Sequence, residues 1–172
     1  PIEGAKKLIA KNGFKSSDIK KIEVDTFHEA VRLATNQPTT TEEAQYSTSF
    51  PVAVALARGN VTPQDISGEA LNDPAILKLS KCLVMRESEK ANEQFPENRL
   101  AKVTIILKNN TIYEGEWIEP KWDAKSPPSE HDILDKFHTL SEPVLGSSGS
   151  RNLVEVVKTF EANKCSDLME LI

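Results

Sequence analysis

The sequence predicts an α+β fold, an antiparallel sheet of about four strands with helices packed on it. Three observations carry that expectation. Residues 101–118 alternate apolar and polar around an Asn109-Asn110 turn, which reads as a β-hairpin. Residues 19–26 alternate the same way, with Ile22, Val24 and Thr26 opposite Lys21, Glu23 and Asp25. The helical segments between and around them are too irregularly spaced for a doubly wound parallel sheet.

Taken in order, residues 2–12 place Ile2, Ala5, Leu8 and Ile9 on one helical face, and Gly13 closes the helix. Residues 27–34, FHEAVRLA, read equally as a continuing strand or a short helix. The central helix follows over 40–58. Thr40 and Glu43 form a capping box at its start, and Gly59 ends it. Its spacing aligns Tyr46, Phe50, Ala53 and Ala57, with Gln45, Ser49, Val52 and Leu56 on the next line. Pro51 lies inside this pattern and predicts a kink, because proline lacks a donor and presses on the carbonyl of Ser47. The apolar second half is expected to be buried, while the polar first half meets a ligand or a partner domain.

Thr62-Pro63 with Asp65 starts a short helical turn, and Asn72-Asp73-Pro74 caps a helix with Ile76, Leu77 and Leu83 inward. Residues 82–86 read as a strand and the polar 87–99 as a loop. Ser129 caps a helix with Ile133, Leu134, Phe137 and Leu140 inward. Ser150 caps another with Leu153, Val154, Val157 and Phe160 inward, and a short helix ends at Leu171-Ile172.

The chain's 172 residues suffice for one domain, spanning 1–172, with a substantial core. Hydrophobic content of 38% and charge of 27% fit a globular protein. The net charge of −5, with no basic run interleaved with aromatics, argues against nucleic-acid binding. The longest apolar run, PVAVALA, is too short for a bilayer, and no secretory signal is visible. Cys82 and Cys165 are lone thiols that fit a reducing compartment, cytoplasmic or, in a eukaryote, mitochondrial; both are expected to pack as small hydrophobes. A chain opening on Pro1, directly into a helix, is expected to be an excerpt of a longer protein.

Few residues suggest chemistry. His28 and Arg32 lie four apart beside Glu29, so on a helix they share a face. They read either as a carboxylate clamp, for which guanidinium is suited, or as a solvated surface turn. His131 and His138 are two helical turns apart, about 10 Å of rise. That is too far for one metal ion, whose imidazole ligands lie within roughly 2 Å of it. Ser47 and Ser49 lack the GxSxG turn of an exposed nucleophile. Tyr46 reads as a buried amphipath or an acid catalyst. The GSSGS at 146–150 lacks the P-loop lysine and reads as a turn before a helix. Pattern alone yields no self-sufficient catalytic constellation.

The stretch TTTEEAQYSTSFPVAVALARGNVTPQDISGEALNDPAILKLSKCLVM resembles the MmgE/PrpD family at positions 42–47, 59–61 and 71–81. GAKKLIAKNGFKSSDIKKIEV, VTIILKNNTIYEGEW and DILDKFHTL resemble further family segments in the same order. The resemblance implies a cofactor-free enzyme with a helical domain and a smaller α+β lid domain, this chain being the lid. It implies lyase or isomerase chemistry on small di- or tricarboxylic acids: dehydration of 2-methylcitrate, decarboxylation of cis-aconitate or epimerisation of iminodisuccinate. Most catalytic Asp, His and Lys residues then lie upstream on the helical domain, and the protein is expected to form a homodimer. His28, Glu29, Ala30 and Arg32 are similar to the HEAxxR of the methylcitrate dehydratases, near the substrate cleft. Val31 stands close to where some decarboxylases carry a tyrosine, and EEAQYSTSF stands where the dehydratases carry RDHCxQY. The resemblance therefore implies a reaction class rather than one substrate. His28, Arg32, Gln45 and Tyr46 are the expected substrate contacts, with no metal and no cofactor. The alternative is a non-catalytic module that dimerises or docks on a helical partner domain; a third reading is a regulatory domain binding a small ligand by itself.

Overall fold

A computed structural model of the chain describes residues 1–162. Cys165 and the expected helix ending at Leu171-Ile172 lie outside the described residues. The chain divides into two compact units, Pro1–Pro120 and Lys121 onward.

The first unit is α+β. Its sheet contains β1 (Ile19–Thr26), β2 (Leu83–Glu87), β3 (Ala101–Leu107) and β4 (Ile112–Glu114), in the order β2-β1-β3-β4. β1 and β3 are antiparallel, as are β3 and β4. β1 and β2 run parallel, so the expected four-stranded antiparallel sheet is present with one parallel pair at its edge. Parallel neighbours need a long crossover, and the chain between them supplies one made of helices. A register shift between Ile19 and Lys21 lets both Ile19 and Ile22 face the core, although they are three residues apart. On the core face, Ile22 stands opposite Leu83 and Ile105, and Val24 opposite Val103. The other face is a ladder of ion pairs, as the alternation predicts. Arg86 grips Asp25 through two hydrogen bonds (2.8 and 3.0 Å) and Glu23 at 3.0 Å, while Lys21 also reaches Glu23.

The helices are α1 (Ile2–Asn12), α2 (His28–Arg32), α3 (Thr41–Tyr46), α4 (Phe50–Arg58), α5 (Pro74–Lys81) and α6 (Glu89–Gln94). Gly13 and Gly59 take left-handed conformations and end α1 and α4, as expected. Every residue of α4 from Phe50 to Leu56 is buried, and α4 packs against α1 and α5. Asp73 caps α5 by accepting from the amides of Ala75 and Ile76.

The central segment is two helices, not one kinked helix. α3 ends at Tyr46, Ser47 is extended (φ −65°, ψ 134°), and α4 begins at Phe50. Pro51 falls in the first turn of α4, where its missing donor would have had no helical partner. Ser47 Oγ accepts from the Phe50 amide at 3.0 Å and the Ser49 amide at 3.2 Å, which is what lets the new helix start there. The expected capping box is also shifted. Thr40 accepts from the Glu43 amide, but Glu43 reaches back to the amide and hydroxyl of Thr39.

Residues 87–99 are not a plain loop, because α6 lies within them. Ala91 is fully buried, and Phe95, one turn on, stacks on Phe27 with ring centroids 4.4 Å apart. The hairpin turn is three residues rather than two: the Leu107 amide donates to the Thr111 carbonyl, and Asn110 takes the left-handed conformation (φ 65°).

In the second unit, Ser129 and Asp132 cap α7 (Glu130–Lys158) reciprocally. Gly146 (φ 68°, ψ 165°) breaks α7 into two arms, and Lys158 meets Glu130 at 2.9 Å, so the chain doubles back. Ser150 is therefore no cap. It lies within the second arm, fully buried, with its hydroxyl 2.6 Å from His138 Nδ1 and 2.6 Å from Ser141 Oγ. Leu134 and Phe137 are half-buried, but Ile133, Leu140, Val157 and Phe160 are exposed, against the expectation that they face inward. Two helical arms cover only one side of each other, which leaves the outer side of the apolar stripe open.

Candidate functional site

The short helix α2 leaves the sheet at the carboxyl end of β1. Arg32 ends it, and the chain then loops through 33–40 into α3. This loop is tied to the break between α3 and α4. Ser47 Oγ donates to the Thr35 carbonyl at 2.9 Å and accepts from the Thr35 amide at 3.2 Å. Thr48 Oγ1 donates to the Ala30 carbonyl at 2.6 Å, and its amide to the Leu33 carbonyl at 3.3 Å. On the far side, Ser80 Oγ donates to the Asn36 carbonyl, and Asn36 Nδ2 to the Leu83 carbonyl. The Ser-Thr-Ser break is thus a hub of hydrogen bonds that fixes the end of α2 against the end of α3.

The result is an open depression of about 500 Å³ with Arg32 and Tyr46 on its walls, together with Thr35, Thr40, Glu42 and Glu43. Tyr46 is 68% exposed, so the reading of it as a buried amphipath does not hold. Glu43 is held below the usual carboxylate range, first by the Thr39 amide and then by the Thr39 hydroxyl. One guanidinium therefore faces two carboxylates in this depression.

His28 and Gln45, the other two expected contacts, do not line it. Gln45 is exposed on α3. His28 opens α2 and points its Nδ1 at Glu87 Oε1, 2.7 Å away at the end of β2. The His28 amide donates to Asn92 Oδ1 on α6, also at 2.7 Å. His131 pairs with Asp135 at 3.3 Å on the surface of α7. Cys82 is half-buried beside a crevice of about 180 Å³ that Lys78 and Leu79 also line.

With this geometry in view, the chain matches the MmgE/PrpD C-terminal domain over residues 1–162. The chain belongs to the MmgE/PrpD family. No curated protein sequence matches it. Membership makes this a domain of a larger enzyme of that family. Among the described residues, no helix is long and apolar enough to cross a membrane.

Two participants at this end of the fold escaped the sequence reading. The missing GxSxG turn addresses Ser47 only as a nucleophile, whereas a serine shortly before Phe50-Pro51 is also a helix-start signal. Glu87 falls in the polar stretch 87–99, whose composition predicts a loop. Only the parallel register, which sets Thr26 opposite Glu87, brings it beside His28.

Proposed function

We propose that this chain is the lid domain of a cofactor-free lyase or isomerase that acts next to a carboxylate of a small di- or tricarboxylic acid. Arg32 neutralises a substrate carboxylate, Tyr46 shares its wall, and His28 and Gln45 flank the cleft. The observation that carries this reading is the depression in which Arg32 and Tyr46 meet, fixed by the Ser47–Thr35 hydrogen bonds. Two carboxylates beside a single arginine do not by themselves attract a polyanion. In this reading the remaining cations, and the acid–base groups, come from the helical domain of the same protein. Closure of the lid over the substrate excludes water and strengthens each ionic contact.

Arg32→Ala in the full-length enzyme tests the assignment. KM should rise about tenfold or more, the loss of one charge-assisted contact. An unchanged KM removes Arg32 from the site. The reaction itself is read by incubating the enzyme in D₂O with 2-methylcitrate, cis-aconitate and iminodisuccinate and following each by proton NMR. Loss of water, loss of CO₂ or deuterium at an α-carbon each names a reaction class, whereas silence on all three by folded enzyme rejects these substrates.

A second reading is favoured by the exposed apolar side of α7, where Val144 is 83% and Val157 58% exposed. Such a face suits docking on a helical domain or in a homodimer. If docking is the chain's whole role, substitutions at His28 and Arg32 leave turnover unchanged while Val144→Asp disrupts assembly.

A further inference from the structure

We propose that Glu87 is a positioning residue for His28, holding the ring so that Nδ1 carries the proton and Nε2 is presented to the ligand. This rests on the reading of His28 as a substrate contact. β1 and β2 form the parallel pair of the sheet and end side by side, with Thr26 opposite Glu87. The pairing continues one step further, where the Ser88 amide donates to the Thr26 carbonyl at 2.9 Å. Both strands thus point their carboxyl ends the same way, and β1 hands over to α2 beside the end of β2.

His28 is fixed at that point from three directions. Its amide is held by Asn92 of α6, Phe27 before it stacks on Phe95, and its Nδ1 meets Glu87. A carboxylate accepts but does not donate, so a neutral His28 must put its proton on Nδ1. Nε2 has no hydrogen-bond partner among the described residues, and the ring is about half exposed (48%). A surface ion pair between two mobile side chains has no such backbone anchoring.

The test uses the full-length protein with ¹⁵N-labelled histidine, His28 being assigned by its loss in His28→Gln. At about pH 9, where an ordinary imidazole is neutral, the ring nitrogens report the tautomer directly. The expected result is a protonated Nδ1 in the wild type and in Glu87→Gln, whose amide carbonyl still accepts, and a mixed tautomer in Glu87→Ala. Affinity for tricarballylate, a tricarboxylate with no leaving group, should fall about tenfold in Glu87→Ala and threefold or less in Glu87→Gln. A wild-type ring protonated on Nε2 overturns the proposal without recourse to any variant. So does an unchanged affinity in Glu87→Ala when His28→Gln weakens binding. If His28→Gln itself leaves the affinity unchanged, or the wild type does not bind the probe, the reading of His28 as a substrate contact fails instead.

Discussion

Ser47→Ala probes the hub that fixes the candidate site. The Ser47 side chain is 6% exposed, and its hydroxyl lies within hydrogen-bond distance of the Thr35 carbonyl and of the Thr35, Ser49 and Phe50 amides. One hydroxyl supplies one donor and two lone pairs, so these contacts share at most three bonds. Losing the acceptor at the start of α4 resembles losing an N-cap and costs about 1 kcal/mol. Stranding the Thr35 carbonyl and one further amide adds about 1–3 kcal/mol, with the low end favoured because Thr35 is only half-buried. The expected loss is therefore about 2–4 kcal/mol. In urea, with a slope of about 2 kcal/mol/M, the midpoint falls by about 1–2 M. Hydrogen exchange at the Phe50 amide should accelerate in step. A loss below about 0.5 kcal/mol, with Phe50 still protected, would refute the claim that this hydroxyl organises the α3–α4 break.

Gly146→Ala forces an L side chain into a conformation (φ 68°, ψ 165°) that only glycine adopts freely, so the second unit should lose about 1–3 kcal/mol, measurable as earlier thermal unfolding. Arg58 hydrogen-bonds both Asp65 and Asp73 and should confer pH-dependent stability. Burial pushes the Asp65 carboxyl up, but hydrogen bonds from Thr62 and Arg58 outweigh it and leave it below the usual range. The Arg58 hydrogen bond, chiefly, lowers that of Asp73. Their stabilisation is thus complete above about pH 4, the ordinary aspartate range, and is lost as pH falls through the depressed values. The gap in melting temperature between wild type and Arg58→Leu should narrow on acidification; a constant gap down to about pH 2 would contradict the pairing.

Much of the fold is legible in local signals. Gly13 and Gly59, the Asp73 and Ser129 caps and the alternation in β1 and β3 each act within a few residues, where sequence spacing is informative. What escapes is non-local. The parallel register of β1 and β2 depends on how the intervening helices pack, and the pairing of His28 with Glu87 depends on that register. Pro51 shows a different difficulty. The same residue reads as a kink inside a long helix or as the first turn of a new one, and the buried Ser47 hydroxyl decides between them. α6 is hard to read because Ala91 is the one apolar residue within it, and Phe95 lies just past its end. Among the candidate site residues, Arg32 and Tyr46 converge because of the Ser47–Thr35 bonds, which no helical spacing encodes.

The helical crossover between β1 and β2 also shapes how this domain acquires its structure. The hairpin of β3 and β4 closes a three-residue loop and can form within microseconds. β2 finds its edge position only after every residue from Phe27 to Cys82 has been gathered, and that span includes the buried α4. Chain entropy thus makes β2 late and the β3–β4 hairpin early. The end of β2 carries Glu87, so the His28–Glu87 pair cannot form before β2 docks on β1. Without β2 in place β1 presents an unpaired edge, and open strand edges are where chains pair with their own kind.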